Sequence, residues 1–193
     1  MAKGCRPAVF FDRDGTIIHD VGYPKDPGQV QLLPGAGEAL ADLKKRGFAL
    51  VLISNQSGIG RGLVTEREAE HVHQQVVSSL AQYSVQLDAA YYCPHAPAQR
   101  CCCRKPSPSM LLQAAGKCAL DLACSFMVGD KPIDIEAGKR VGCRTILLAA
   151  SPIHVGSDPV PDDVATDWSE VWQHILRHSR QQEAGRGQTD GAP

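Results

Sequence analysis

The sequence predicts an α/β fold, a Rossmann-like doubly wound parallel sheet covered by helices on both faces. Two observations carry that expectation. Short uninterrupted apolar runs alternate with segments whose apolar residues recur at helical spacing, as expected for strands buried on both sides. The residues best suited to chemistry also fall where those runs end: Asp12 and Asp14 after the first, Ser54 at the second, Cys93 at the third and Asp130 after the fourth. Parallel sheets collect function at the carboxyl ends of their strands.

In chain order, Ala8–Phe11 (AVFF) reads as a first buried strand. Residues 36–46 place Ala36, Ala39, Leu40 and Leu43 on one helical face, and Gly47 follows as a stop. Phe48–Ser54 is a second strand. Thr65 and Glu68 match a capping box, opening a helix whose apolar face carries Ala69, Val72, Val76, Leu80 and Tyr83. Asp88–Cys93 is a third strand. Ser107 then caps a helix with Pro108 at its first position, ahead of Met110, Leu111 and Ala114. Ser125–Gly129 and Arg144–Ala150 supply two more strands around a helix near Ile135–Val141. Residues 1–178 are read as one domain with a metal-binding loop at 93–103. Residues 179–193, polar and aperiodic, are read as a disordered tail. No internal repeat is present.

A length of 193 residues, 43% of them hydrophobic, is enough for one self-sufficient core. A formal net charge of -1 argues against a general nucleic-acid or membrane-surface binder. No run approaches the roughly 18 apolar residues of a membrane span. The N-terminal run AVFF falls short of the about 7–15 apolar residues of a signal peptide. A soluble cytoplasmic protein, monomeric and without nucleic-acid or membrane partners, is expected.

Four sequence pieces carry chemistry. Asp12 and Asp14, spaced i, i+2 on extended chain, point the same way and can address one atom, although an ordinary Asp-Gly turn has the same appearance. Ser54, Asn55, Gln56, Ser57 and Gly58 offer donors for phosphate oxygens, or form a plain polar loop. Lys105 beside Arg104 can neutralise a phosphoryl group, but lysines are commonplace at surfaces. Asp130 can join Asp12 in an oxygen set for magnesium, with Asp134 in support or acting as a helix cap. His71, His73 and His174 lie on helical segments and read as ordinary surface or core-edge residues.

Of the eight cysteines, Cys5, Cys118, Cys124 and Cys143 are scattered, while Cys93, Cys101, Cys102 and Cys103 crowd beside His95. Clustered thiols with a histidine suit zinc better than a disulfide in a reducing compartment. Such a site would pin the loop that carries Lys105.

Taken together, D-R-D-G-T, the Ser54 motif, Lys105 and G-D-K-P-I-D resemble the haloacid-dehalogenase-like hydrolases. The resemblance implies Asp12 as nucleophile, Asp14 as general acid/base, and Ser54 with Lys105 as phosphoryl orienters. It implies magnesium held by Asp12, the Asp14 main-chain carbonyl and Asp130. With C-P-H, C-C-C-R-K-P, G-Y-P and S-N-Q-S-G-I-G-R-G, residues from about Pro7 to Leu148 resemble the D-glycero-D-manno-heptose 1,7-bisphosphate phosphatase family, near the histidinol-phosphate phosphatases. That likeness implies zinc on Cys93, His95, Cys101 and Cys103. It also implies substrate contacts at Asp20, Val21, Gly22, Tyr23, Ser54, Asn55, Gln56, Ser57, Arg104, Lys105 and Lys131. Cys102 departs from the family pattern and leaves an extra thiol beside the ligand pair. No segment is long enough for a large cap domain, so short loops with Arg61, Arg104 and Lys131 nearby would receive a sugar bisphosphate. The implied reaction removes the C7 phosphate of a heptose bisphosphate on the way to lipopolysaccharide. The alternatives are a histidinol-phosphate phosphatase and a non-catalytic zinc-stabilised interaction module.

Overall fold

The computed structural model describes residues 6–149 and 159–186. Six parallel strands form one sheet in the order β3-β2-β1-β4-β5-β6. They are β1 (Ala8–Phe11), β2 (Ala49–Asn55), β3 (Ala89–Cys93), β4 (Phe126–Gly129), β5 (Arg144–Leu148) and β6 (Asp163–Ala165). The helices are α1 (Ala36–Lys45), α2 (Ser57–Gly60), α3 (Glu66–Ala81), α4 (Ser109–Cys118), α5 (Pro132–Arg140) and α6 (Trp168–Arg186).

Alternation along β1 explains the two layers of core. Val9 and Phe11 point into one cluster with Leu40 and Leu43 of α1, Val76 and Leu80 of α3, and Trp168 and Val171 of α6. Ala8 and Phe10 point the other way, toward Met110, Leu111 and Ala114 of α4 and Ala137 of α5. All four residues of β1 are fully buried, so the strand reads as a continuous apolar run. The strand order reverses between β1 and β4. The crevice at the carboxyl ends of these two strands is the switch point at which such sheets bind ligands.

The Thr65–Glu68 capping box forms as expected, with the Glu68 carboxylate accepting from the Thr65 N–H at 2.7 Å. Gly47 takes the positive φ of 91° that ends α1. Three expectations are corrected. α4 begins at Ser109 with Pro108 at its N-cap, one residue later than predicted, because Ser107 Oγ is drawn to the Cys102 carbonyl. The short strand β6 and helix α6 lie beyond the predicted strands; β6 lacks an apolar run, and α6 is anchored by the buried Trp168, Val171 and Ile175. α6 continues to Arg186, so residues 179–186 are helical rather than a tail, since a docked helix can run on without an apolar face. Cys5, Ala150 and residues 187–193 lie outside the described residues. No helix among the described residues is long and apolar enough to cross a membrane, and no cap domain is inserted between the described elements.

Candidate active site

Asp12 follows β1 directly, and its N–H donates to the Val128 carbonyl of β4 at 3.1 Å, tying the loop across the switch point. The chain then turns at Gly15, whose φ is 81°. A side chain there would place Cβ 2.4 Å from Asp130 Oδ2, so only glycine lets the carboxylate of the β4 loop approach. Thr16 Oγ1 donates to Asp130 Oδ1 at 3.3 Å. Behind the loop, Trp168 Nε1 donates to the Thr16 carbonyl at 2.7 Å, bracing it against α6.

Lys105 is buried in the centre of the site. Its ammonium donates to the Ile53 carbonyl at 2.7 Å and lies 2.9 Å from Asp12 Oδ1 and 2.6 Å from Asp134 Oδ1. Burial alone pulls this lysine down, but the Asp12 and Asp134 charges outweigh it and hold Lys105 above the ordinary lysine range. Asn55 fixes the same residue from the side: its amide donates to the Lys105 carbonyl at 3.1 Å and accepts from the Lys105 N–H at 3.0 Å.

Carboxylate oxygens of Asp12, Asp130 and Asp134 lie within 4.8 Å of one another. Burial, with the Asp12 charge adding to it, raises Asp130 above the usual carboxylate range despite Lys131 at 3.2 Å. Asp12 Oδ1 and Asp134 Oδ1 are buried without an aligned hydrogen-bond donor, the Lys105 contacts being charge contacts only. Three crowded carboxylates, with Asp12 lining an open cleft, fit a hard divalent cation with oxygen ligands, which is magnesium chemistry. Asp134 is brought into this group because its carboxylate also accepts from the Lys131 N–H, capping α5. The Asp14 carboxylate stands apart from it.

Asp14 is instead held by Arg13, a residue that the sequence reading passed over. Arg13 is buried; its Nε reaches Asp14 Oδ1 and Oδ2 at 3.2 and 3.1 Å, and its terminal nitrogen donates to Gln56 Oε1 at 2.8 Å. Gln56 completes the frame, donating to Asp14 Oδ2 and Ser54 Oγ, each at 2.9 Å. The signal was a cation between two aspartates, but only strand adjacency reveals its burial.

A cleft of about 310 Å³ is lined by Asp12, Asp14, Asp20, Gly22, Tyr23, Asn55, Gln56, Ser57, Arg104, Lys105, Lys131 and Ile133. Most of the predicted contact residues meet here. Ser54 sits behind Gln56, and Val21 is exposed and does not line the cleft. Arg61 ends α2 without lining it, and Ile133 is an addition from α5. Lys131 bridges Asp130 and Asp20 across the rim. Its pKa is raised by the Asp130, Asp12 and Asp20 charges, which outweigh the lowering effect of burial.

The predicted thiol cluster also assembles. Cys93, His95, Cys101 and Cys103 bring ligand atoms within 4.8 Å of one another. The sulfurs are 3.2–3.6 Å apart and His95 Nδ1 lies 3.4 Å from Cys103 Sγ. Those separations exceed a disulfide bond of about 2.05 Å and approach the roughly 3.7 Å edge of a tetrahedron around zinc. Cys102 is exposed and outside the group. The loop packs on α2, with the Gly60 N–H donating to the Pro94 carbonyl at 2.8 Å.

A HAD-hydrolase-like family model matches residues 102–168. The chain is 40% identical over 189 residues to a D-glycero-beta-D-manno-heptose-1,7-bisphosphate 7-phosphatase of Escherichia coli strain K12, covering 93% of this chain and 98% of that protein. It is 44% identical over 149 residues to one from Pasteurella multocida, covering 74% and 81%. Its fold is similar to the crystal structure of D,D-heptose 1,7-bisphosphate phosphatase from B. bronchiseptica complexed with magnesium and phosphate. The TM-score is 0.77 at 31% identity, covering 89% of this chain and 99% of that one.

Proposed function

The chain belongs to the HAD-like heptose-1,7-bisphosphate 7-phosphatase family, and from that membership we propose that it hydrolyses the C7 phosphate of D-glycero-D-manno-heptose 1,7-bisphosphate through an aspartyl-phosphate on Asp12. The observation that most directly supports this reading is the single cleft in which Asp12, Asp14 and Lys105 meet the cationic rim residues Arg104 and Lys131. The floor suits the reacting phosphate and the rim suits the second one.

Asp12 attacks phosphorus, forming an O–P bond while the bond from phosphorus to the C7 oxygen breaks. An anionic nucleophile about 4 Å from an anionic phosphate is repelled by roughly 4 kcal/mol per charge pair at an effective dielectric near 20. Lys105, buried against Asp12, offsets that repulsion and meets the charge that spreads over the phosphoryl oxygens. Asp14, held by Arg13 and Gln56, gives a proton to the departing sugar oxygen. It then takes one from the water that cleaves the aspartyl-phosphate and releases inorganic phosphate. Asp12 and Asp130, with the Asp14 main-chain carbonyl, would hold magnesium, which supplies further neutralisation of the phosphoryl charge. Cys93, His95, Cys101 and Cys103 would hold structural zinc and thereby fix Arg104 and Lys105.

Phosphate release with magnesium is measured on heptose 1,7-bisphosphate, histidinol phosphate and a 3′-phosphorylated oligonucleotide. The heptose bisphosphate is expected to win by at least about tenfold in kcat/KM, or about 1.4 kcal/mol. A preference for histidinol phosphate would overturn the substrate while leaving the Asp12 chemistry intact.

A further inference from the structure

α6 carries His174 and His178 four residues apart, and so on one helical face. That face meets Asp163, the first residue of β6. His174 Nδ1 lies 2.9 Å from Asp163 Oδ1, and His178 Nε2 lies 3.0 Å from Asp163 Oδ2. One ligand-type atom from each of the three residues falls within a 4.8 Å group. The side chains are 10–17% exposed, shielded yet reachable from solvent. Asp163 lies on the edge strand β6, two strands beyond β4, so the group sits at the sheet edge and apart from the catalytic cleft.

Each ring places one nitrogen within hydrogen-bond distance of a different carboxylate oxygen. Gln181 Oε1 is 3.2 Å from His178 Nδ1. His174 Nδ1 is approached by the Arg177 guanidinium at 2.7 Å as well as by Asp163. Arg144 Nε supports Asp163 Oδ2 from behind at 3.1 Å. Two imidazole nitrogens and a carboxylate converging on one point, with Gln181 and Arg144 holding the ligands from outside, is a donor set for a borderline divalent metal. Arg177 is exposed and free to swing away when a cation enters.

We propose that Asp163, His174 and His178 form a second transition-metal site, occupied by zinc, that clasps α6 to the sheet edge. It is distinct from the thiol cluster and from the catalytic carboxylates.

The test is zinc uptake by the untagged full-length protein at neutral pH, with excess magnesium to occupy the acidic cleft. Wild type is expected to bind one more zinc per chain than a His174→Ala/His178→Ala variant, and to lose that excess, with its zinc-dependent rise in Tm, in the variant. Phosphatase kcat is unchanged. Equal zinc stoichiometry in the two folded proteins overturns the site. Should the double variant fail to fold, His174→Gln decides. The second zinc is expected to bind it at least tenfold more weakly than wild type; unchanged affinity overturns the proposal.

Discussion

The thiol cluster takes all four of its residues from one stretch, Cys93 to Cys103, at the end of β3. The clustered carboxylates come from Asp12 after β1 and from Asp130 and Asp134 after β4, more than a hundred residues later. The first is a closed set of soft donors whose geometry is local. The second exists only because β1 and β4 are neighbours, and its Asp12 lines a cleft. A local, closed set suits a structural metal, and a long-range, open one suits chemistry. Lys105 joins the two, since it follows Cys103 by two residues and buries its ammonium among the carboxylates.

The comparison breaks most sharply at the carboxylates. Asp12→Asn is expected to reduce kcat by at least about a thousandfold, the scale of a lost nucleophile, while zinc content and circular dichroism stay at wild-type levels. Loss of zinc in that variant would mean that the two clusters are not separately built. Lys105→Met is next. It leaves Asp12 and Asp134 buried without their cation, and breaking a buried pair costs about 3–5 kcal/mol. A large fall in Tm in magnesium-free buffer is expected, partly recovered on adding magnesium, with kcat down about 10²–10³-fold. A Tm indifferent to both would mean that the carboxylates do not need the lysine.

How far each cluster could be read from sequence follows the same division. The thiols stand together in the chain, so Cys93, His95, Cys101 and Cys103 were visible as a set. Asp12 and Asp130 were visible because each follows an apolar run, such as Phe126–Gly129, and Lys105 because it follows the thiols beside Arg104. What escaped depends on contacts across the fold. Arg13 reads as a solvated charge until β2 brings Gln56 beside it. Ser54 was placed in the substrate path, yet the Gln56 amide covers it. β6 has three residues and an exposed Val164, too brief and polar for a periodic signal. His174 reads as a surface residue because Asp163, its partner, lies on that unseen strand.

Two smaller effects sharpen the link between the clusters. Cys103→Ser is expected to release zinc and lower kcat by about 10–100-fold, as when the support of a catalytic residue is lost, with Asp12 still reactive. If zinc leaves and kcat holds, Asn55 alone pins Lys105. Asn55→Ala tests that directly. It removes both amide contacts to the Lys105 backbone, worth about 1–3 kcal/mol with the buried groups left unpaired. Its kcat should fall by about tenfold with zinc retained.

The smallest expected effect is at Cys102. It stands between two cluster cysteines, so by sequence it competes with them for the metal. Its residue is exposed, its carbonyl accepts from Ser107 and Ser109, and it falls outside the group. Because the contact that orders this position is made by the main chain, Cys102→Ser leaves it intact. Stability should change by no more than about 0.5 kcal/mol, the usual range for a surface substitution, with zinc content and kcat unchanged. Measured beside Cys103→Ser, it compares two adjacent thiols, one inside the cluster and one outside it. Zinc loss in both variants would show that the metal draws on Cys102, and the closed four-ligand description of the loop would have to be given up.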